Sequence, residues 1–268
     1  MRPDHPTPTG RPDRLRSPLP SGAVLLFLLL GAAHLTGHAV EAEALHRATK
    51  PLLIPALMLV VLARRGPRLL LAALACGWAG DVLLMPDHPV AFLGGMAAFG
   101  LGHLGYLALC RRAARAGSLP TRPRIIGAAL GYAAVGGVVV VLLWPGLPAD
   151  LRVPVAGYAA LLTATAWAAA LTLGPRGAAG GALFLLSDAL IAAGLGDGPV
   201  IPAQGLVVMA TYLAAQWWLA DAVLRSPATG PSGRRPGAGP EGDRSRSADP
   251  PPGRGAGGPG DRPVTAAG

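Results

Sequence analysis

Hydrophobic residues run along this chain in blocks of roughly 20, separated by short polar stretches that hold most of the arginines. A block of that length is what an α-helix needs to cross the hydrocarbon core of a bilayer. Eight blocks are read, over residues 22–40, 50–63, 67–85, 90–110, 124–144, 153–173, 178–196 and 203–224. The second is the shortest, and Pro51 and Pro55 fall in its first turns. Proline is tolerated at a helix start, and inside a span where a neighbour re-satisfies the freed carbonyl. The block is therefore kept as a span, steeply packed or partly re-entrant. The pattern predicts an all-α polytopic membrane helical bundle of about eight transmembrane helices.

Loop charge tests that count. Arg2, Arg11, Arg14 and Arg16 precede the first block, and Arg64, Arg65 and Arg68 lie between the second and third. Arg111, Arg112, Arg115, Arg122 and Arg124 lie between the fourth and fifth, Arg176 between the sixth and seventh, and Arg225 after the eighth. The alternate loops hold Arg47 and Lys50, none around Asp87, Arg152, and none around Asp197. Positive loops stay cytoplasmic, so eight spans with both termini in the cytoplasm put nearly every arginine inside. One span more or fewer scrambles the alternation. Arg14, Arg16, the apolar stretch from Ala23 and Ala42-Glu43-Ala44 mimic a signal peptide with a small-residue cleavage site. The stretch is long and many more spans follow, so it is read as a retained first helix.

The ends differ in kind. Residues 1–21 are Pro- and Arg-rich, and residues 226–268 are almost entirely Pro, Gly, Ser, Arg and similar residues. Such segments bury too little apolar surface to offset chain entropy, so both are expected to be disordered, flanking one membrane domain over 22–225.

Composition agrees with a membrane protein. The chain is 51% hydrophobic and 14% charged, against about 25% charged in soluble domains. The net charge of +9 resides in tails and loops, leaving no folded basic surface with interleaved aromatics, so no nucleic acid is expected as a partner. Cys76 and Cys110 each sit inside an apolar run without the close partners of a zinc site or disulfide framework, and are read as buried core residues. Arg, Ala, Gly and Pro dominate, and Lys50 is the only lysine. That bias suggests a GC-rich bacterium, and hence a bacterial plasma membrane.

Within a bilayer each ionisable group costs several kcal/mol unless paired or hydrated, which makes these residues the informative ones. Asp81 lies near the outer end of the third span, Asp188 midway to outer in the seventh, and Lys50 opens the second from the same side. His103 lies deeper, with Phe99 and Tyr106 about one turn to either side on its helix face. Each has a structural alternative: an Asp81–Lys50 pair that locks two helices, or an interhelical hydrogen bond from His103. Asp221 is expected to form a surface pair with Arg225, and Gln216 to hydrogen-bond across helices. Trp217 and Trp218 read as packing or interface anchors. His34 and His38, four apart on the first span, can face one ion, but no glutamate follows as in HExxH and no metal is assigned. Nucleotide-binding and nucleophile-elbow motifs are missing too, and no cofactor is expected.

Thr49-Lys50-Pro51-Leu52-Leu53-Ile54-Pro55 resembles the lysine–proline opening of the YhhN-like lysoplasmalogenase family. Trp78-Ala79-Gly80-Asp81-Val82-Leu83-Leu84-Met85 resembles its glycine–aspartate span, and Phe92-Leu93-Gly94-Gly95 through Phe99, His103 and Tyr106 its following helix. Leu186-Ser187-Asp188 and Tyr212-Leu213-Ala214-Ala215-Gln216 resemble its two closing blocks. The ordered set covers about residues 22–224; around Tyr158 the match is loose and nothing is carried over. The resemblance implies hydrolysis of the vinyl ether of a lysoplasmalogen, giving a fatty aldehyde and a glycerophospho-base.

Read independently, the residues suit that chemistry. Vinyl ether hydrolysis begins with protonation of carbon and generates an oxocarbenium ion. A carboxyl group removed from water can hold its proton near neutral pH and deliver it, while a second, ionised carboxylate stabilises the cation and activates water. Asp81 and Asp188 are the candidates for these two roles, in either order, with His103 orienting a carboxylate or the water. Lys50 is placed on the lipid phosphate as a point charge, and Tyr106 and Gln216 complete the candidate substrate-binding set. The lipid substrate is expected to enter sideways from the bilayer. A second reading is a small proton-coupled transporter using the same intramembrane Asp and His residues, and a third a structural membrane partner.

Overall fold

The computed structural model describes residues 21–86, 88–194 and 201–227. The two tails expected to be disordered lie outside these residues, apart from their innermost positions, as do Asp87 and Asp197. The described residues form eight helices: α1 (Ser21–Ala39), α2 (Glu43–Ala63), α3 (Arg68–Leu83), α4 (Pro89–Ala116), α5 (Arg122–Leu143), α6 (Ala149–Thr172), α7 (Gly174–Ala193) and α8 (Gln204–Arg225). There is no strand among the described residues. All except α3 are long and apolar enough to cross a membrane. The protein is a multi-pass helical membrane bundle.

The element expected to be short is not the one that is. α2 begins at Glu43 and runs 21 residues, so Lys50 sits two turns inside it rather than at its opening. The polar residues Glu43, His46, Arg47 and Lys50 line a cavity, which hides the helix from an apolar-run reading. The short helix is α3, at 16 residues or about 24 Å, against a hydrocarbon core of about 30 Å.

Proline inside α2 is accommodated from α3. Pro55 has no N–H for the carbonyl of Pro51 one turn earlier, and the Trp78 indole N–H donates to that carbonyl at 2.8 Å. This bond ties α3 to α2 between Lys50 and Asp81. At the start of α4, Pro89 occupies the first turn, where its missing N–H costs nothing, and His88 caps it by accepting from the Val90 N–H at 3.2 Å.

Seven helices close a ring in which α1 packs on α2, α2 on α3, α3 on α4, α4 on α6, α6 on α7, α7 on α8, and α8 on α1. α5 lies outside it, chiefly against α6, with Gly136 as its only buried residue. Small residues let the ring close. A Cβ at Gly80 would stand 2.5 Å from the Phe99 ring, and one at Gly181 would stand 2.7 Å from the Ala166 backbone. Van der Waals contact at that approach substitutes for the hydrophobic force that lipid cannot provide between helices. The ring interior holds Phe99, Phe184, Tyr106 and Tyr212, all buried, while Leu28, Leu29, Val141 and Leu142 face outward.

The remaining polar expectations resolve at the periphery. Asp221 does pair with Arg225, but it is buried rather than superficial, and two further arginines reach it. Trp217 stacks on Phe27 at 5.6 Å under the Arg64 guanidinium, and Trp218 is exposed. Cys76 and Cys110 are free thiols, Cys110 being buried.

Candidate active site

Inside the ring, toward the end where α1 and α3 finish and α8 begins, a cavity of about 700 Å³ opens. α3 contributes Asp81 to its wall and α7 contributes Ser187 and Asp188. Residues from remote stretches of the chain thus meet because α3 and α7 stand in one ring. α2 adds Lys50, His46, Arg47 and Glu43, and α1 adds His38, so one end of the wall is polar, with Arg47 paired to Glu43 at 2.7 Å and Lys50 as a further cation. Phe92, Phe99, Leu84 and Met209 make the rest apolar. A narrow annex of about 50 Å³ continues past Asp188 between Met96, Val155 and Tyr158. It has a single carboxylate on an otherwise mostly apolar wall.

Each carboxylate is held by a tyrosine. The Tyr212 hydroxyl of α8 donates to Asp81 Oδ2 at 2.7 Å, and the Tyr158 hydroxyl of α6 donates to Asp188 Oδ2. A phenol has one proton to give, so the direction of the bonds behind Tyr212 follows. Gln216 Nε2 donates to the Tyr212 oxygen at 3.2 Å, and the Gln216 carbonyl oxygen accepts from the Tyr106 hydroxyl at 2.8 Å. Tyr106, Gln216 and Tyr212 form a line of aligned donors ending on Asp81, and such chains polarise one another in a dry interior. Oδ1 of each aspartate stands outside these tyrosine bonds.

The six residues singled out from sequence therefore separate into two layers. Asp81, Asp188 and Lys50 share the cavity. Tyr106 and Gln216, expected to touch substrate, are not on its wall: they are 2% and 1% exposed and lie behind Tyr212. His103 is also off the wall, 1% exposed, with its ring 4.5 Å from Phe184 and 5.9 Å from Tyr158. Neither of its nitrogens has a hydrogen-bond partner among the described residues, so no hydrogen bond to either aspartate supports a direct orienting role. Spacing along a helix places residues on a face, but not which side chain from another helix stands between them and the cavity.

Tyr158 and Tyr212 are the functional candidates that sequence reasoning missed. A signal existed: the chain has four tyrosines, and a phenolic hydroxyl at membrane depth must find an acceptor. Tyr212 also lies one turn from Gln216, on the same helix face.

The histidines are arranged otherwise than for an ion. His38 and His46 stack with centroids 4.3 Å apart, His34 lies edge-on to His38, and the His34 ring bonds Thr49 Oγ1 through Nδ1 at 2.9 Å. Among the described residues no group of three or more His, Cys, Asp or Glu is placed to hold a metal.

With this geometry in hand, comparison with known proteins is decisive at the family level. The model of the YhhN family matches residues 45–223, which includes α3, α7, α8 up to residue 223 and all of both carboxylate–tyrosine pairs. The chain belongs to the YhhN family. It is similar to lysoplasmalogenase TMEM86B of Homo sapiens, 36% identical over 160 residues, covering 60% of this chain and 65% of that protein. It is similar also to lysoplasmalogenase TMEM86B of Sus scrofa, 36% identical over 164 residues with the same coverage. The Rattus norvegicus protein of that name is 35% identical over 165 residues, covering 59% of this chain and 63% of its own length. The chain thus spans just under two thirds of these relatives. No solved structure matches it.

Proposed function

We propose that this protein is a lysoplasmalogenase-like hydrolase of the bacterial plasma membrane, with both termini in the cytoplasm, cleaving the vinyl ether of a single-chain ether lipid to a fatty aldehyde and a glycerophospho-base. The observation that carries the reading is that two tyrosine-bound carboxylates from different helices open into one cavity, polar at one end and continued by an apolar annex. The names of the relatives support it, and the arginine alternation supports the orientation.

In this reading the lipid enters from the bilayer with its chain along the Met96–Val155 annex and its phosphate toward Lys50. Asp188, which lines both the cavity and the annex, is the acid, because it stands where the chain joins the ether. It delivers its proton to the vinyl carbon farther from the ether oxygen. Asp81, held by the donor line through Tyr212 and sharing the cavity with Lys50, stays ionised, faces the oxocarbenium ion and takes a proton from water as its oxygen bonds to the cationic carbon. The hemiacetal hydroxyl then gives its proton to the Asp188 carboxylate, the bond to the glycerol oxygen breaks as that oxygen takes the proton held by Asp81, and the aldehyde is released. One water is consumed and no oxidant or metal is needed. The polar residues behind Tyr212 are positioning residues.

A transporter built on the same aspartates predicts a different readout. Purified protein in liposomes is expected to release aldehyde from a lysoplasmalogen but not from the corresponding saturated ether lipid, without lipid-driven proton uptake into the lumen. Proton uptake with no aldehyde would establish the transporter reading instead.

A further inference from the structure

Far from the cavity, where α2 and α8 finish and α7 begins, three arginines converge on one carboxylate. Asp221 is 6% exposed. Its Oδ1 accepts from Arg64 Nη1 at 2.9 Å, while its Oδ2 accepts from Arg225 Nε at 2.7 Å and pairs with Arg176 Nε at 3.2 Å. Three guanidinium groups therefore share one negative charge. Arg64 is largely buried and lies over Trp217, but the Arg176 and Arg225 side chains are 57% and 58% exposed.

The way these two meet Asp221 is specific. Both approach the same oxygen through Nε, so the two guanidinium planes are held beside each other with their terminal amino groups outside these contacts. Like charges fixed that close repel each other, and the one carboxylate is already shared with Arg64. A hollow of about 190 Å³ adjoins the pair, lined by Arg176 and Arg225 together with the apolar Leu173, Pro175, Ala222 and Pro227. It also lies at the first turn of α7, whose positive dipole end adds to the field.

We infer that Arg176 and Arg225 form a binding site for the phosphate group of an anionic membrane lipid, separate from the cavity that holds Asp81 and Asp188. Two guanidinium forks side by side match the several oxygens of one phosphate better than a lysine would. The lipid, rather than free phosphate, is the source because the hollow sits at the ends of membrane helices and the rest of its wall, Thr172 and Ser226 apart, is apolar, a surface for the glycerol backbone and the first methylenes. Basic pockets between helix ends take up acidic head groups in this way. A phosphocholine head group brings its own cation next to the surplus positive charge and is disfavoured.

The test is lipid retention by the full chain. Protein exchanged into nanodiscs of equal phosphatidylglycerol and phosphatidylcholine is expected to retain the anionic lipid preferentially by about tenfold in native mass spectra, which is about 0.7 kcal/mol per arginine. Arg176→Gln/Arg225→Gln should bring that ratio close to one. The arginines at the same bundle end that flank the α4–α5 loop provide the control: Arg115→Gln/Arg122→Gln should leave the ratio near wild type. If the double variant is not recovered folded, the single variants are read, each expected to lose about threefold. An unchanged ratio in the Arg176/Arg225 variants overturns the inference, as does an equal loss in the control, which would mean diffuse charge. Millimolar inorganic phosphate displacing the lipid completely would make the site one for free phosphate, and the lipid assignment would fall.

Discussion

Asp188→Asn and Asp81→Asn are each expected to lower the kcat for aldehyde release from a lysoplasmalogen by about 10²- to 10⁴-fold, the usual worth of a positioned acid or base. The substitution changes little else. An asparagine side-chain carbonyl still accepts from Tyr158 or Tyr212, so the helix-to-helix bonds of α6 with α7 and of α3 with α8 have a replacement acceptor. What is lost is the capacity to give a proton to carbon at one position and to carry negative charge at the other. KM should move far less than kcat, since neither change touches the polar wall around Lys50. Activity of both variants within about threefold of wild type would remove the aspartates from the chemistry.

The second large effect concerns stability. Asp221→Ala should destabilise the bundle by about 3 kcal/mol, because it removes the carboxylate that three guanidinium groups share and leaves the largely buried Arg64 without that anionic partner. The two exposed arginines can turn to water and contribute little to that figure. Arg64→Met/Asp221→Leu, which removes both members of the most buried pair, should recover much of the loss, since replacing a buried ion pair by apolar groups of similar volume is often close to neutral. Detergent-solubilised melting or unfolding in mixed micelles reads both. A single variant as stable as wild type would mean that the cluster contributes nothing to the fold.

How much of this was legible beforehand follows from what lipid makes expensive. Uncharged runs of about twenty residues and alternating arginine loops pointed to eight helices, because a bilayer penalises charge along the whole length of a span. Asp81, Asp188 and Lys50 stood out for the same reason, and they do share one cavity. The early start of α2 was hidden, since Glu43, His46 and Arg47 face that cavity and break the apolar run. The tyrosines that hold the carboxylates were hidden too: a phenol is mostly apolar ring, and its hydroxyl is conspicuous only once an acceptor from another helix is seen beside it. Tyr106, Gln216 and His103 were at the right depth but one layer behind the wall, a distinction that depends on how α4 and α8 are rotated against their neighbours.

In the proposed reaction one fixed acid inside the cavity delivers a proton to carbon. Turnover of a lysoplasmalogen in heavy water, with the aldehyde trapped as it forms, tests it most directly. One deuterium on the carbon next to the aldehyde, in a single stereochemical configuration, is the predicted result. Deuterium distributed over both faces, or none at that carbon, would contradict it.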